Sequence, residues 1–345
     1  MSRRRLLAGL LVVASGLACG IEELGEPEPR APATPPPGSP VALHGRLHVE
    51  GLQLTDEHGE AVRLRGVSDQ GIQWFPFGTC ITDASLDFLA APEGMAIDVL
   101  RVPVYVEEGG YLDDPRGMAA AALEMIDHAI ARGLYVIVDW HVTSFDPNDR
   151  LDEAKEFFRY FGATYAGHPN VLYEIANEPS GVGWSRIAAY ADALIPSLRM
   201  HDPLAPIVVG TPDDSGELAD VADAPLTGAN AANVLYTFHF YAASMELGQI
   251  VPYLDRIPIF VTEWGAASYD GDSPDDYEKS ALFVAALDGP AQRVSFVGWS
   301  FTDDRESSAM LLPGTCATEE DAGGPWTMES LSVSGQFMRA QLVSP

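Results

Sequence analysis

Basic residues, cysteines and long apolar runs are all scarce in this chain of 345 residues. Lys and Arg number 20 against 50 Asp and Glu, a formal charge of −30. Such a surface repels nucleic acid and anionic lipid, so nucleic-acid binding is excluded, while a neutral or cationic partner such as a neutral polysaccharide fits. The apolar run near the N-terminus is too short to span a bilayer as a stable helix. No GxGxxG follows the first strand-like run, which removes support for a dinucleotide-binding open sheet. No HExxH and no tight His/Cys cluster is present, so the sequence offers no metal site and calls for no cofactor. There is no internal repeat and no second linker, so one large domain is expected rather than two small ones.

The N-terminus has the layout of an export signal. Residues 1–19 read MSRRRLLAGLLVVASGLAC: three arginines, a short apolar stretch, then small residues. Leu17-Ala18-Cys19-Gly20 resembles the lipobox of bacterial lipoproteins, in which the cysteine becomes the lipidated first residue. Ordinary signal cleavage near the same place is the alternative. Removing the segment takes away Arg3, Arg4 and Arg5, leaving 17 basic residues against 50 acidic ones, or −33. Residues 20–41, rich in Pro, Glu and Ala, carry too few apolar side chains to bury and are expected to form an extended tether. The protein is therefore expected outside the cytoplasm, secreted or attached to the cell envelope through Cys19 alone, with a monomer as the default state.

From about residue 60 onward, short β-rich runs alternate with amphipathic stretches. The runs are 62–67, 98–102, 135–139, 171–176, 207–210, 234–239, 259–263 and 294–300. Most are almost continuously apolar, as strands buried on both faces of a parallel sheet must be. Helices are expected over 118–132, 153–166, 184–201 and 275–287, with Gly133 and Gly167 placed as C-caps. Eight repeats over residues 42–345 point to a (β/α)8 TIM barrel. Ahead of it, residues 47–54 and 60–64 bracket Asp56-Glu57-His58-Gly59, which reads as a short N-terminal β-hairpin plugging the bottom of the barrel.

Active sites of such barrels form at the C-terminal ends of the strands. Here those ends carry Arg101, Asp139-Trp140-His141, Asn177-Glu178, His239-Phe240-Tyr241, Glu263 and Trp299. A single buried His or Trp is ordinary core; six strand ends of this kind are hard to explain as packing. Two glutamates facing each other across a barrel mouth are what glycoside hydrolysis requires, one to protonate the leaving oxygen and one to attack the anomeric carbon. Arg101 and Tyr241 would keep the nucleophile ionised, Asn177 would bond the sugar 2-hydroxyl, and Trp299 would offer a face to a pyranose ring. A retaining pair stands about 5–5.5 Å apart, an inverting pair about 6.5–9.5 Å.

The segments LYEIANEP around Glu178 and IFVTEWG around Glu263 resemble the two active-site signatures of family-five glycoside hydrolases. The likeness extends through RLRGVSDQGIQWF, LRVPVY, GLYVIVDWHV, FHFYA and GWSFTDDRESSAMLLPG, and is similar in particular to the bacterial endo-β-1,4-glucanase subgroup. It implies a retaining, cofactor-free enzyme acting on β-glucan, with Glu178 as acid/base and Glu263 as nucleophile. Arg101, His141, Asn177, His239, Tyr241 and Trp299 match the rest of the family's active-site set. Three positions depart from the subgroup pattern. Gln70 stands where histidine is usual, Asp213-Asp214 where the loop after strand five usually carries a stacking aromatic, and Asp304 where lysine is common. A stacking platform is therefore expected to be missing, with Trp74 and Glu306 as remaining sugar contacts. Mixed-linkage glucan, xyloglucan or mannan are alternative substrates within the family, and a surface lipoprotein that binds polysaccharide without cleaving it is the alternative outside it. Barrel closure makes the first and last strands neighbours, which predicts a disulfide between Cys80 and Cys316 beside the cleft.

Overall fold

The computed structural model describes residues 24–344 except Glu319, so the expected signal segment and Cys19 lie outside the described residues. Eight parallel strands close into a barrel: β1 Arg65–Ser68, β2 Val99–Tyr105, β3 Tyr135–His141, β4 Val171–Glu174, β5 Ile207–Val209, β6 Val234–Tyr241, β7 Ile259–Gly265 and β8 Ser295–Gly298. Each pairs with its sequence neighbour, and β8 pairs with β1. The helices are α1 Asp83–Ala90, α2 Pro115–Ala131, α3 Leu151–Thr164, α4 Trp184–Arg199, α5 Ala219–Asp223, α6 Tyr277–Ala286 and α7 Val333–Leu342. Gly133 and Gly167, just past α2 and α3, take φ of 70° and 78°, the left-handed conformation that closes a helix at little steric cost.

The eightfold strand–helix repeat is imperfect. After β5 the helix shrinks to the five residues of α5, and between β6 and β7 two 3-10 turns, Leu247–Gln249 and Val251–Tyr253, stand in its place. Neither stretch has a long amphipathic run, so no full helical face exists to bury there.

The N-terminal hairpin pairs His48–Glu50 with Gln53–Thr55, turning at Gly51-Leu52 rather than at residues 56–59. The expected turn at 56–59 also exists, closed by a Thr55–Ala61 bridge and the Gly59 N to Asp56 O bond. Gly51 has φ of 62°, which allows the tighter turn to form first along the chain. Leu47, Leu54, Val62 and Leu64 of this region pack onto Val99, Ile137, Leu172, Val208, Leu235, Phe260 and Val297, the inward side chains at the N-terminal end of the barrel. The hairpin therefore seals the bottom.

The Pro-rich segment differs from a free tether. Its part from Leu24 onward runs irregularly along the barrel flank, with Leu24 buried, the Arg30 N–H bonded to Thr164 O at 2.7 Å, and Arg30 paired with Asp127 at 3.1 Å. It ends in a short helix, Pro40–His44, capped by the Ser39 hydroxyl. Too few apolar groups for a core of its own still suffice to dock on an existing one. Among the described residues no helix is long and apolar enough to cross a membrane.

Candidate active site

Inward side chains of a strand recur every second residue, so the barrel interior is built in layers. One step above the apolar floor stand Arg101 on β2, Asp139 on β3, Glu174 on β4, Thr237 on β6 and Thr262 on β7, all fully buried. Arg101 joins most of them. Its Nε donates to Glu174 Oε2 at 2.8 Å, Nη1 to Glu263 Oε2 at 3.1 Å, and Nη2 to Asp139 Oδ2 at 2.9 Å and Asn177 Oδ1 at 2.5 Å. Burial alone would favour losing the guanidinium charge, but Asp139, Glu174 and Glu263 hold it more firmly protonated than usual.

Above this layer the mouth collects the reactive groups. Tyr241 Oη donates to Glu263 Oε1 at 2.6 Å, so each oxygen of Glu263 has one donor, a phenol on one side and Arg101 on the other. Glu178 follows the end of β4, and its Oε1 lies 2.8 Å from His239 Nδ1, with 23% of its side chain exposed to the cleft. A carboxylate oxygen of Glu178, one of Glu263 and a ring nitrogen of His239 all lie within 4.8 Å of one another.

A β-bulge makes this convergence possible. Thr237 pairs with Phe260 and His239 with Glu263, so β7 carries one residue more than β6 over the same span. The extra residue lets consecutive side chains, Thr262 and Glu263, both face inward, the re-aiming that bulges provide near active sites. Gly210 contributes in a different way: a Cβ there would sit 2.3 Å from Ala176 O, so only glycine lets the end of β5 approach the segment leading to Glu178.

His141 sits against Asp139, Nδ1 to Oδ2 at 2.6 Å. Burial and the Arg101 charge push His141 down to about 3. Burial, reinforced by Glu174 and Glu263 against the pull of Arg101, pushes Asp139 up. Both shifts disfavour the ionised forms of the pair. Asn177 is more occupied than expected: besides Arg101, its amide nitrogen donates to Val142 O at 3.0 Å and lies 3.4 Å from His141 Nε2. Only that longer contact can give way to a sugar 2-hydroxyl.

An aromatic row lines the other wall. Trp74 packs on Tyr105 with ring centres 4.6 Å apart, Tyr105 on His141 at 4.1 Å, and His141 on Trp299 at 5.8 Å and nearly parallel. Of the three departures from the subgroup pattern, two meet each other: Gln70 Nε2 donates to Asp304 Oδ2 at 3.4 Å. Glu306 lies against the loop after β7, where burial and the neighbouring Asp304, Asp272 and Asp270 carboxylates push it up.

The third departure shapes a cleft of ≈ 310 Å³ beside Glu178, lined by Asp213, Asp214, His239, Tyr241 and Tyr269 among others. Asp213, Asp214 and Ser215 take φ of 56°, 54° and 60°, an uncommon run for residues with side chains. The turn is fixed to the segment that carries Glu178, Ser215 Oγ donating to Asn177 O at 2.6 Å and Asp214 N to Pro179 O at 3.4 Å. The β5 loop brings carboxylates and no ring; an aromatic nevertheless reaches this cleft from the loop after β7, as Tyr269, 79% exposed.

Cys80 and Cys316 are joined in a disulfide with Cα atoms 4.8 Å apart, inside the limit of about 7 Å. Asp303 buttresses it by accepting from the Gly314 and Cys316 amides at 3.0 and 2.9 Å. Among the described residues two groupings have donors close enough for a metal ion, Cys80/Asp303/Cys316 and Glu178/His239/Glu263. The first has its sulfurs committed to the disulfide. In the second, both ring nitrogens of His239 already have partners, Glu178 and Thr262, so the ring has no free lone pair to offer.

Glu174, Thr262 and Tyr105 were not singled out from sequence. The signal for Glu174 was present: a carboxylate inside the otherwise apolar run VLYEIA must be paired if that run is a buried strand. Tyr105 falls on the inward series Arg101, Pro103, Tyr105. Thr262 falls on the inward series Phe260, Thr262, but a threonine in an apolar strand gives no signal of its own.

A sequence profile described as Cellulase (glycosyl hydrolase family 5) matches residues 55–305. The chain is 42% identical over 326 residues to Endoglucanase E-5 of Thermobifida fusca, covering 92% of this chain and 68% of that protein. It is 39% identical over 316 residues to Endoglucanase MaCel5A of a Microbulbifer species, covering 88% and 59%. The chain thus spans about three fifths to two thirds of the length of these relatives. A crystal structure of the catalytic domain of the Thermobifida fusca endoglucanase Cel5A, a variant holding cellotetraose, superposes with a TM-score of 0.82 at 42% identity, over 89% of this chain and all of that one. A Saccharophagus degradans β-glucanase at 19% identity and a TM-score of 0.68 shares the fold. With its barrel, its paired glutamates and these relatives, the chain belongs to the cellulase family, glycosyl hydrolase family 5.

Proposed function

We propose that the chain is an endo-acting glycoside hydrolase that cleaves β-1,4-glucosidic bonds with retention, Glu263 serving as nucleophile and Glu178 as acid/base. The observation that carries this reading is the close approach of two carboxylates in unlike settings. One oxygen of each lies within 4.8 Å of the other, which supports a retaining pair over an inverting one, whose carboxyls stand apart to hold a water. Glu263, held by Arg101 and Tyr241, attacks the anomeric carbon while Glu178 passes its proton to the leaving oxygen. Water then attacks the glycosyl-enzyme, Glu178 takes the proton, and Glu263 departs. Trp299 and the ring row beside it supply apolar faces for the sugar. The cellotetraose bound by the Thermobifida fusca variant supports a β-glucan oligosaccharide as substrate.

The acceptor side favours a second substrate within the same chemistry. With two carboxylates in place of a ring on the β5 loop, mixed-linkage glucan is the alternative to cellulose. Cellopentaose incubated with the mature protein and followed by NMR tests both. Early β-anomer, absent with E263Q, supports the reading. No cleavage of cellopentaose, mixed-linkage glucan or mannan overturns it in favour of a non-cleaving polysaccharide-binding protein.

For location, we infer export with lipid attachment at Cys19. The Cys80–Cys316 disulfide supports an oxidising compartment. Mass spectrometry of the mature N-terminus tests it: a diacylglyceryl cysteine is expected, and an unmodified terminus overturns it.

A further inference from the structure

Glu174 reaches both catalytic carboxylates without touching either. Its Oε2 accepts from Arg101, whose Nη1 continues to Glu263. Its Oε1 lies 2.5 Å from the Thr262 hydroxyl, which lies 3.0 Å from His239 Nε2. His239 Nδ1 then meets Glu178 Oε1 at 2.8 Å. The chain from Glu174 to Glu178 is thus continuous and buried up to the cleft.

Counting protons gives this chain a direction. Burial would raise Glu174, but Arg101 and His239 outweigh it and pull the carboxyl down to about 2, so it only accepts. The single hydroxyl proton of Thr262 therefore goes to Glu174, and Thr262 Oγ1 is left as an acceptor. Thr237 also contacts that oxygen, as a donor from the other side. It follows that His239 carries a proton on Nε2.

The state of Nδ1 depends on the charges around the ring. His239 is faced by Glu174 and Glu178 from β4 and its end and by Glu263 from β7, with Arg101 on β2 and Asp139 on β3 beyond. Burial opposes a charge on the ring, but Glu263 and Glu174, joined by Glu178 when it is ionised, outweigh it and push His239 up to about 10.

We propose that Glu174 and Thr262 are positioning residues that hold His239 doubly protonated, so that its Nδ1–H occupies Oε1 of Glu178 and directs the acid's proton to Oε2. The inference rests on Glu178 being the acid/base. When the C1–O bond breaks and the bond from C1 to Glu263 forms, the proton moves from Glu178 Oε2 to the leaving oxygen, and His239 keeps both of its own. A neutral ring would instead accept the proton of Glu178, turning it away from the substrate.

The test separates protonation of the leaving group from everything else. T262V removes the relay and leaves the Arg101–Glu174 pair in place. Its kcat/KM is measured on cellopentaose, whose leaving group needs a proton, and on 2,4-dinitrophenyl β-cellobioside, whose leaving group does not. A fall of at least about tenfold on cellopentaose is expected, with less than about a twofold change on the aryl substrate and recovery in T262S. Equal losses on both substrates, or no loss, overturn the proposal. A wild type inert on both sinks the acid/base reading and this inference with it. Should T262V not fold, 15N NMR of the wild-type His239 ring near neutral pH decides: two protonated nitrogens are expected, and a singly protonated ring overturns it.

Discussion

The two ends of the barrel interior are built on the same strands from opposite chemistry. Val99, Ile137, Leu172, Leu235 and Phe260 form the floor with the hairpin, and two residues further along each strand stand Arg101, Asp139, Glu174, Thr237 and Thr262. The floor contributes stability in the ordinary way, about 1.5–3 kcal/mol for each apolar side chain fully buried. The layer above contributes little net stability, because desolvating its charges costs several kcal/mol apiece and pairing roughly offsets that. The lesson is a division of labour within about 7 Å, the rise of two residues along a strand. The lower layer closes the barrel, and the upper one fixes where charge sits at the mouth.

The division is broken most severely at Arg101. Replacing it with Leu leaves Asp139, Glu174 and Glu263 without their shared cation. A loss of about 3–5 kcal/mol in urea unfolding and a fall in kcat/KM of about 100-fold or more are expected together. Retained activity would show that the upper layer does not set the site's charges.

Leu172→Ala strikes the floor directly beneath Glu174. Unfolding free energy should drop by about 2–5 kcal/mol, while kcat/KM well below the melting temperature changes by less than about threefold. A large loss of activity in the folded variant would mean that the two layers are not separable.

A pH series on E174Q sharpens the comparison. Glu174 lies near 2 in the fold against an ordinary 4.5, so its stabilisation is full above 4.5 and is lost as pH falls through 2. Wild type should exceed E174Q in stability near neutral pH, and the gap should narrow between pH 4.5 and 2. A gap that stays constant over that window would argue that the pairing is not electrostatic.

The smallest effect is expected at the rim. Tyr269 carries the exposed ring in the cleft beside Glu178, so Y269A should raise KM for cellopentaose about two- to fivefold with kcat nearly unchanged. If kcat falls instead, the ring acts on the chemistry and not on binding. D214W, which puts a ring back on the β5 loop, should lower KM; no change would show that Tyr269 already fills that role.

Much of this was legible in the chain. Continuous apolar runs located the eight strands, and reactive residues at their ends located Glu178 and Glu263, because burial on both faces and exposure at one end leave a pattern in composition. The turn at Gly51 and the docked Pro-rich segment were misplaced or missed, since a glycine can turn in several places and a polar segment can borrow a neighbour's core. The expected gap in the aromatic lining was half visible. The β5 loop does lack a ring, but Tyr269, distant in sequence, enters the same cleft.

Sequence alone determined the barrel, the two glutamates and the family, because these depend on periodicity and on residue types that burial tolerates only when paired. Tertiary structure decided what lies between them. Glu263, next along the strand from the inward Thr262, also turns into the mouth only because β7 carries one extra residue against β6. Glu174 can reach Arg101, Thr262 and His239 only because closing the barrel brings β2, β4, β6 and β7 around one small charged volume. Charges interact through distance, and the sequence does not contain that distance until the chain has folded.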